Sequence, residues 1–203
     1  MYLVVRRGAF EELVVGCRLA GAAAVACLRR FGEDPDHQEA IAGWKERPGK
    51  VTLRARGGQW DQVLREEDFA YAGDLDDASV LALPPRRRSA RSETLTKLQA
   101  MASELTPVPV TDDLPDSFTY VINPAIEMST GKTMAQVAHA ATGAAATGDV
   151  EAWVDQGCPA SVVVPKTPEA WKAACASDRL VAKVEDAGLT EVPPGTVTVL
   201  ALA

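Results

Sequence analysis

The 203 residues carry 28 Asp and Glu against 21 Lys and Arg, and 47% are hydrophobic while only 5% are aromatic. A chain of this length and apolarity builds one large domain or two small ones around an Ala, Val and Leu core, and is neither disordered nor fibrous. Its four cysteines (Cys17, Cys27, Cys158, Cys175) form no C-x-x-C pair and its histidines number two, which argues against a metal centre and for reduced thiols in the cytoplasm.

Arg6-Arg7 and Val14-Val15-Gly16-Cys17 superficially suggest an export signal, but Glu11 and Glu12 lie between them where an unbroken apolar stretch is needed. Arg18 then interrupts the apolar run from Leu13 to Leu28, so no bilayer-spanning helix is expected. Tyr2-Leu3-Val4-Val5 predicts a buried strand, and Leu13 to Phe31 an Ala-rich helix packed on a sheet. After a polar break at 33–37 come a short helix near Gln38–Trp44, a strand at Val51–Leu53, a helix at Gln59–Glu67 and a strand at Ser79–Leu83. Pro84-Pro85-Arg86-Arg87-Arg88 stops that strand. Ser92 to Leu105 then predicts a helix, with Leu95, Leu98, Met101, Ala102 and Leu105 on one face and Ser92 or Ser89 as its cap, ended by Pro107 and Pro109. Thr111 to Ser117 is an acidic loop.

The same order begins again at Phe118: a strand to Asn123, a helix from Gly131 to about Ala146, a short helix at Val150–Gln156 and a strand at Ser161–Val164. A helix at Pro168–Ser177 and strands at Leu180–Glu185 and Val197–Leu202 follow. Trp153 answers Trp44, Trp171 answers Trp60, and Val80-Leu81-Ala82-Leu83 answers Val199-Leu200-Ala201-Leu202. Matches in this order, at an offset of about 110–119 residues, predict an internal duplication. Charge divides between the halves: residues 1–110 hold 16 basic and 16 acidic side chains, residues 111–203 hold 5 and 12, so the entire net charge of −7 sits in the second half. A nucleic-acid enzyme needs a basic face, and the second half offers little of one.

Chemistry concentrates in two stretches. In Met128 to Ala140, Lys132, Gln136 and His139 are spaced i, i+4, i+7 and share a helix face near its N-terminus, where free N–H groups favour anions. Ser129-Thr130-Gly131-Lys132-Thr133 is not a P-loop, because the required glycine five residues before Gly131 is Ile126. In Val184 to Thr196, a strand end is followed by Asp186, a glycine turn, Thr190 and Pro193-Pro194-Gly195-Thr196, the kind of loop that carries ligands in α/β sheets.

Together the two stretches resemble the type II peptidyl-tRNA hydrolases. Gly131 to Ala140 match that family's signature G-K-x-x-A-Q-x-x-H-A, and Asp186 to Thr196 match D-A-G-x-T-x-x-x-P-G-T. Departures are Asn123-Pro124-Ala125-Ile126, where the family often has Arg and then Asp-Leu, and Leu189, where Arg is common; both remove positive charge. The resemblance implies a three-layer α/β/α unit with a mixed sheet of about four strands, and hydrolysis of the ester joining a peptide to the tRNA 3′-terminal ribose with no cofactor. It implies Lys132, Gln136, His139, Asp186 and Thr190 as catalytic residues, with Gly131, Pro194, Gly195 and Thr196 binding substrate. Either Asp186 orients or deprotonates the water with Thr190, Lys132 stabilises the oxyanion or holds a nearby phosphate, and Gln136 and His139 are positioning groups, or His139 is instead the base.

Aligning Tyr2 with Tyr120 places Val14 opposite Lys132, Arg18 opposite Gln136 and Gly21 opposite His139, and Tyr71-Ala72-Gly73-Asp74 offers no counterpart of Asp186. The expected organisation is therefore a degenerate unit at 1–84, a basic helical connector at 85–117 and a catalytic unit at 118–203, packed as an internal pseudo-dimer or forming a weak homodimer. Arg86, Arg87 and Arg88 are the expected tRNA contacts. The alternatives are a non-catalytic module that binds a tRNA end or another ligand in the same pocket, and a hydrolase for another ester or amide.

Overall fold

β1 (Tyr2–Arg6) lies in the middle of the first sheet because its residues are apolar towards both faces. The structure is a computed structural model and describes residues 1–72 and 79–203; Gly73 and Asp74 of the compared Tyr71–Asp74 stretch lie outside them. After α1 (Leu13–Phe31) and α2 (Gln38–Glu46), β2 (Val51–Ala55) pairs parallel to β1. α3 (Gly58–Glu66), β3 (Ala70–Tyr71) and β4 (Val80–Leu83) follow, with β4 antiparallel to both β1 and β3.

The connector departs from its expected form. After a 3-10 turn at Arg88–Ala90, α4 spans only Glu93–Lys97, capped by Ser92 Oγ, and the chain then extends as β5 (Gln99–Ala100) along the edge of β2. The helical spacing put Leu95, Leu98, Met101, Ala102 and Leu105 on one face, but Leu95 and Leu98 enter one core while Met101 enters another. The open edge of β2 explains the difference: Met101 N–H donates to Thr52 O at 2.9 Å, satisfying a backbone acceptor that a longer helix would leave unpaired. The segment also straps both halves, since Thr106 bonds the chain at Glu11 and Leu13, and Val110 bridges Val164.

The second sheet contains β6 (Thr119–Ile122), β7 (Ser161–Val163), β8 (Leu180–Glu185) and β9 (Val197–Leu202). Its helices are α5 (Thr130–Ala145), α6 (Glu151–Asp155) and α7 (Pro168–Cys175). Its order β7-β6-β9-β8 has the same neighbours and directions as β2-β1-β4-β3, with one parallel pair and two antiparallel ones. Both sheets are mixed, and the first carries β5 as an additional edge strand.

Alternation along the central strands distributes the side chains. Leu3 and Val5 of β1, with Tyr120 and Ile122 of β6, face one continuous core that also contains the buried faces of α1 and α5. Tyr2 and Val4 face a second core with Trp60, Val63 and Leu95, and Val121 faces a third with Trp171 and Ala174. The two long helices thus form a shared inner layer between the sheets. Small residues permit their close approach: a Cβ added at Gly21 would lie 3.0 Å from Tyr120 Oη and 3.3 Å from Ala141 Cβ.

Candidate active site

The first turn of α5 is placed from three sides. Ser129 caps it, its Oγ accepting from Lys132 N at 3.3 Å. Glu191 closes over the cap, one carboxylate oxygen accepting from Ser129 N and the other from Ser129 Oγ, both at 2.7 Å. On the opposite side Gly131 is buried against the connector: an added Cβ would fall 2.5 Å from Met101 O, and Gly131 O accepts from Thr52 Oγ1 at 2.8 Å. Gly131, with no side chain, allows the helix to start in contact with the connector.

Asp186 follows the last paired residue of β8. Its loop is closed by backbone bonds, Asp186 N to Thr196 O at 2.9 Å and Gly195 N to Asp186 O at 2.8 Å. Gly195, at φ +78°, and Gly188, at φ +75°, supply left-handed positions, and at Gly188 any Cβ would sit 2.6 Å from Pro194 Cδ. Pro194, Gly195 and Thr196 therefore set the shape of the loop that holds Asp186. Asn123 anchors the neighbouring turn, donating to Val197 O at 2.7 Å and accepting from Ala125 N at 2.9 Å.

Four of the expected residues converge. Lys132 Nζ donates to Asp186 Oδ2 and, at 3.0 Å, to Thr190 Oγ1; Gln136 Nε2 donates to the same Oδ2, and Gly188 N–H to Oδ1 at 2.8 Å. Burial, the largest single influence, acts to raise the Asp186 pKa. The hydrogen bonds from Lys132, Gly188 and Gln136, with the Lys132 charge, outweigh it and hold the carboxyl below its usual range. Gln136 is buried, and its Oε1 has no hydrogen-bond partner among the described residues, so an acceptor waits beside the carboxylate.

His139 stands apart from this group. Its Nδ1 lies 3.1 Å from Lys50 Nζ, and its ring stacks on Trp44 at 6.4 Å between centroids, so its contacts are with the first half of the chain. Burial and then the Lys50 charge push its pKa well below the ordinary histidine value. Lys50 also donates to Thr142 Oγ1 at 3.0 Å and lies over the Trp44 ring. Arg86 is likewise engaged, at 2.7 Å from the buried Glu67 carboxylate, while Arg87 and Arg88 are exposed. Arg18, the position aligned with Gln136, is exposed on α1, whereas Gln136 is buried on α5.

Sequence reasoning missed Ser129, Glu191, Lys50 and Trp44. Ser129 carries a cap signature three residues before Lys132; Glu191, Lys50 and Trp44 have no local signal, because their partners are distant in the chain. No cluster of three or more metal-ligating side chains occurs among the described residues. No helix among them is long and apolar enough to cross a membrane. Residues 117–203 match the family model described as Peptidyl-tRNA hydrolase PTH2.

Proposed function

We propose, from the match of residues 117–203 to the Peptidyl-tRNA hydrolase PTH2 family model, that this unit hydrolyses the ester between a peptide, or an N-blocked amino acid, and the 3′-terminal ribose of tRNA. The convergence of Lys132, Gln136 and Thr190 around Asp186 carries the proposal.

Each group has a part that its surroundings suit. Asp186 remains a carboxylate, and a lone pair on Oδ1, beside the Gly188 bond, accepts a hydrogen bond from the attacking water. Gln136 Oε1 accepts that water's second hydrogen, which would satisfy its orphan acceptor. Lys132 spends two N–H bonds on Asp186 and Thr190 and aims its third at the oxygen that becomes negative as the carbonyl is attacked. The water oxygen bonds to the acyl carbon, the bond from that carbon to the ribose oxygen breaks, and the water's proton ends on the released ribose hydroxyl. With its lowered pKa, Asp186 serves better to orient the water than to strip it of a proton. His139, held by Lys50 and Trp44, acts through the placement of α5.

In this reading the chain is a fused pair in the cytoplasm, with residues 1–84 a copy that kept the fold and lost the site. The equal strand orders and the shared core support it. The test is release of N-blocked amino acid from tRNA by the purified chain. Lys132→Ala and Asp186→Ala should each lower turnover by about 100-fold or more, and Arg18→Ala should leave it unchanged. Wild-type rates in both C-terminal variants would refute the assignment; tRNA binding with no hydrolysis by the wild type would favour the non-catalytic module.

A further inference from the structure

The acidic C-terminal half needs a basic surface beside its site if it is to approach a polyanion, and Arg86 is occupied by Glu67. A better placed cluster lies at the C-terminal ends of β1 and β2. Arg7 N–H donates to Ala55 O at 2.9 Å, continuing the β1–β2 ladder, so Arg6 and Arg7 end one strand where Arg54 and Arg56 end its neighbour. None of these four arginines makes an ion pair among the described residues. Two of them converge on one neutral atom: Arg54 Nη2 and Arg56 Nη2 each donate to Gln99 Oε1 at 3.2 Å. Arg54 Nη1 reaches only Ser103 Oγ at 3.3 Å, and Arg54 Nε is buried with no partner among the described residues. Two guanidinium groups drawn together without an anion, one with a buried donor unspent, form an arrangement that a bound anion would complete.

Beside this cluster lies a cleft of about 410 Å³ whose lining includes Arg7, Phe10, Met101 and Ser103 together with the carboxylates of Glu11 and Glu104, and Arg54 reaches it through its bond to Ser103. Arg6, paired with Ala55, falls on the opposite face from Arg54, so Arg7, Arg54 and Arg56 stand against those two carboxylates and leave the surroundings basic. The cleft also abuts the catalytic helix. Met101 is the residue against which Gly131 is pressed, and Ser103 O accepts from Thr130 Oγ1 at 2.7 Å. The alternation of β2 puts Thr52, which bonds Gly131 O, on the same face as Arg54. Lys132 follows Thr130 by two positions, with Gly131 between them.

We propose that this cleft and the Arg7, Arg54 and Arg56 side chains beside it bind the phosphodiester backbone of tRNA next to the scissile ester, so that the inactive half supplies the positive surface the catalytic half lacks. The proposal deepens the peptidyl-tRNA hydrolase reading and rests on it.

The probe is deacylated tRNA, with binding followed by fluorescence anisotropy from low to moderate salt. Arg54→Gln with Arg56→Gln should weaken binding and flatten the plot of log K against log salt by about one to two units, since each phosphate contact contributes roughly one. Because Arg54 is partly buried, the exposed pair Arg7→Gln with Arg56→Gln gives a second variant that leaves the packing intact, and the same change is expected. KM for peptidyl-tRNA should rise with kcat preserved, while hydrolysis of an N-blocked aminoacyl ester lacking the tRNA body stays at the wild-type rate. Arg65→Gln with Lys172→Gln, exposed on α3 and α7, is the control and should leave the slope unchanged. Unchanged affinity and slope in both cleft variants, an equal loss in the control, or no tRNA binding by the wild type at low salt would each overturn the proposal. Absent hydrolysis of every ester, with tRNA binding still dependent on Arg7, Arg54 and Arg56, would instead refute the enzymatic reading and leave the surface standing.

Discussion

Lys132 and Asp186 form an ion pair whose side chains are only 14% and 6% exposed, so removing one partner leaves the other poorly solvated. Breaking such a buried pair costs roughly 3–5 kcal/mol. The two single variants should nevertheless differ. In Lys132→Met the Asp186 carboxylate keeps Gln136 and the Gly188 N–H, which moderates the loss to about 3 kcal/mol. In Asp186→Asn the ammonium keeps the Thr190 hydroxyl and a neutral amide oxygen but no counter-charge, so this variant should be the less stable of the two. The double variant Lys132→Met/Asp186→Asn removes both charges and should recover stability beyond the sum of its parts, giving a coupling of about 1–3 kcal/mol in a urea-unfolding cycle. Activity should not recover with it: turnover of peptidyl-tRNA should stay at least about 100-fold down in all three. A double variant that regained turnover along with stability, or a Lys132→Met chain as stable and active as the wild type, would refute both the pairing and the catalytic reading.

Gly188→Ala should impair turnover more than global stability, because a Cβ at φ +75° would collide with Pro194 and displace the loop carrying Asp186 and Thr190; turnover and melting temperature measured together check it. The acid limb of the rate profile should lie below the ordinary aspartate range, since Asp186 keeps its charge to lower pH than a free carboxyl, and a limb at or above that range would count against the geometry. Lys50 and His139 both bind protons less readily in the folded chain than in the unfolded one, Lys50 through burial and His139 through burial and the Lys50 charge. As pH falls below the unfolded histidine value of 6.5 the unfolded chain therefore gains more protons, so melting temperature should drop across that region, and Lys50→Met/His139→Asn should flatten the drop. A fragment of residues 117–203 alone should aggregate or self-associate in light scattering, because the α5 face that meets α1 would be open to water.

Much of this protein is determined locally. Leu13–Phe31, Leu180–Glu185 and Val197–Leu202 follow directly from apolar patterning, and the strand ends and helix caps depart from expectation by a residue or two. Lys132, Gln136, Asp186 and Thr190 were likewise readable, because a helix face and a glycine–proline loop fix the direction of each side chain within its own segment. The sequence did not determine what meets each segment across the chain. Residues 98–105 have helical spacing, yet the unpaired edge of β2 draws 99–100 into a strand, since backbone groups at a sheet edge are better satisfied than those of a short amphipathic turn. His139 shares a helix with the site, but the N-terminal half turns its environment to Lys50 and Trp44. Arg86 belongs to a basic run in the sequence, but the fold pairs it with the buried Glu67, while Arg54 and Arg56, unremarkable in sequence, come together on Gln99 through strand alternation and edge pairing. Periodicity and turn chemistry act over a few residues and are legible in order along the chain; charge pairing and edge closure join residues tens of positions apart, and only the folded sheets bring them within reach of one another.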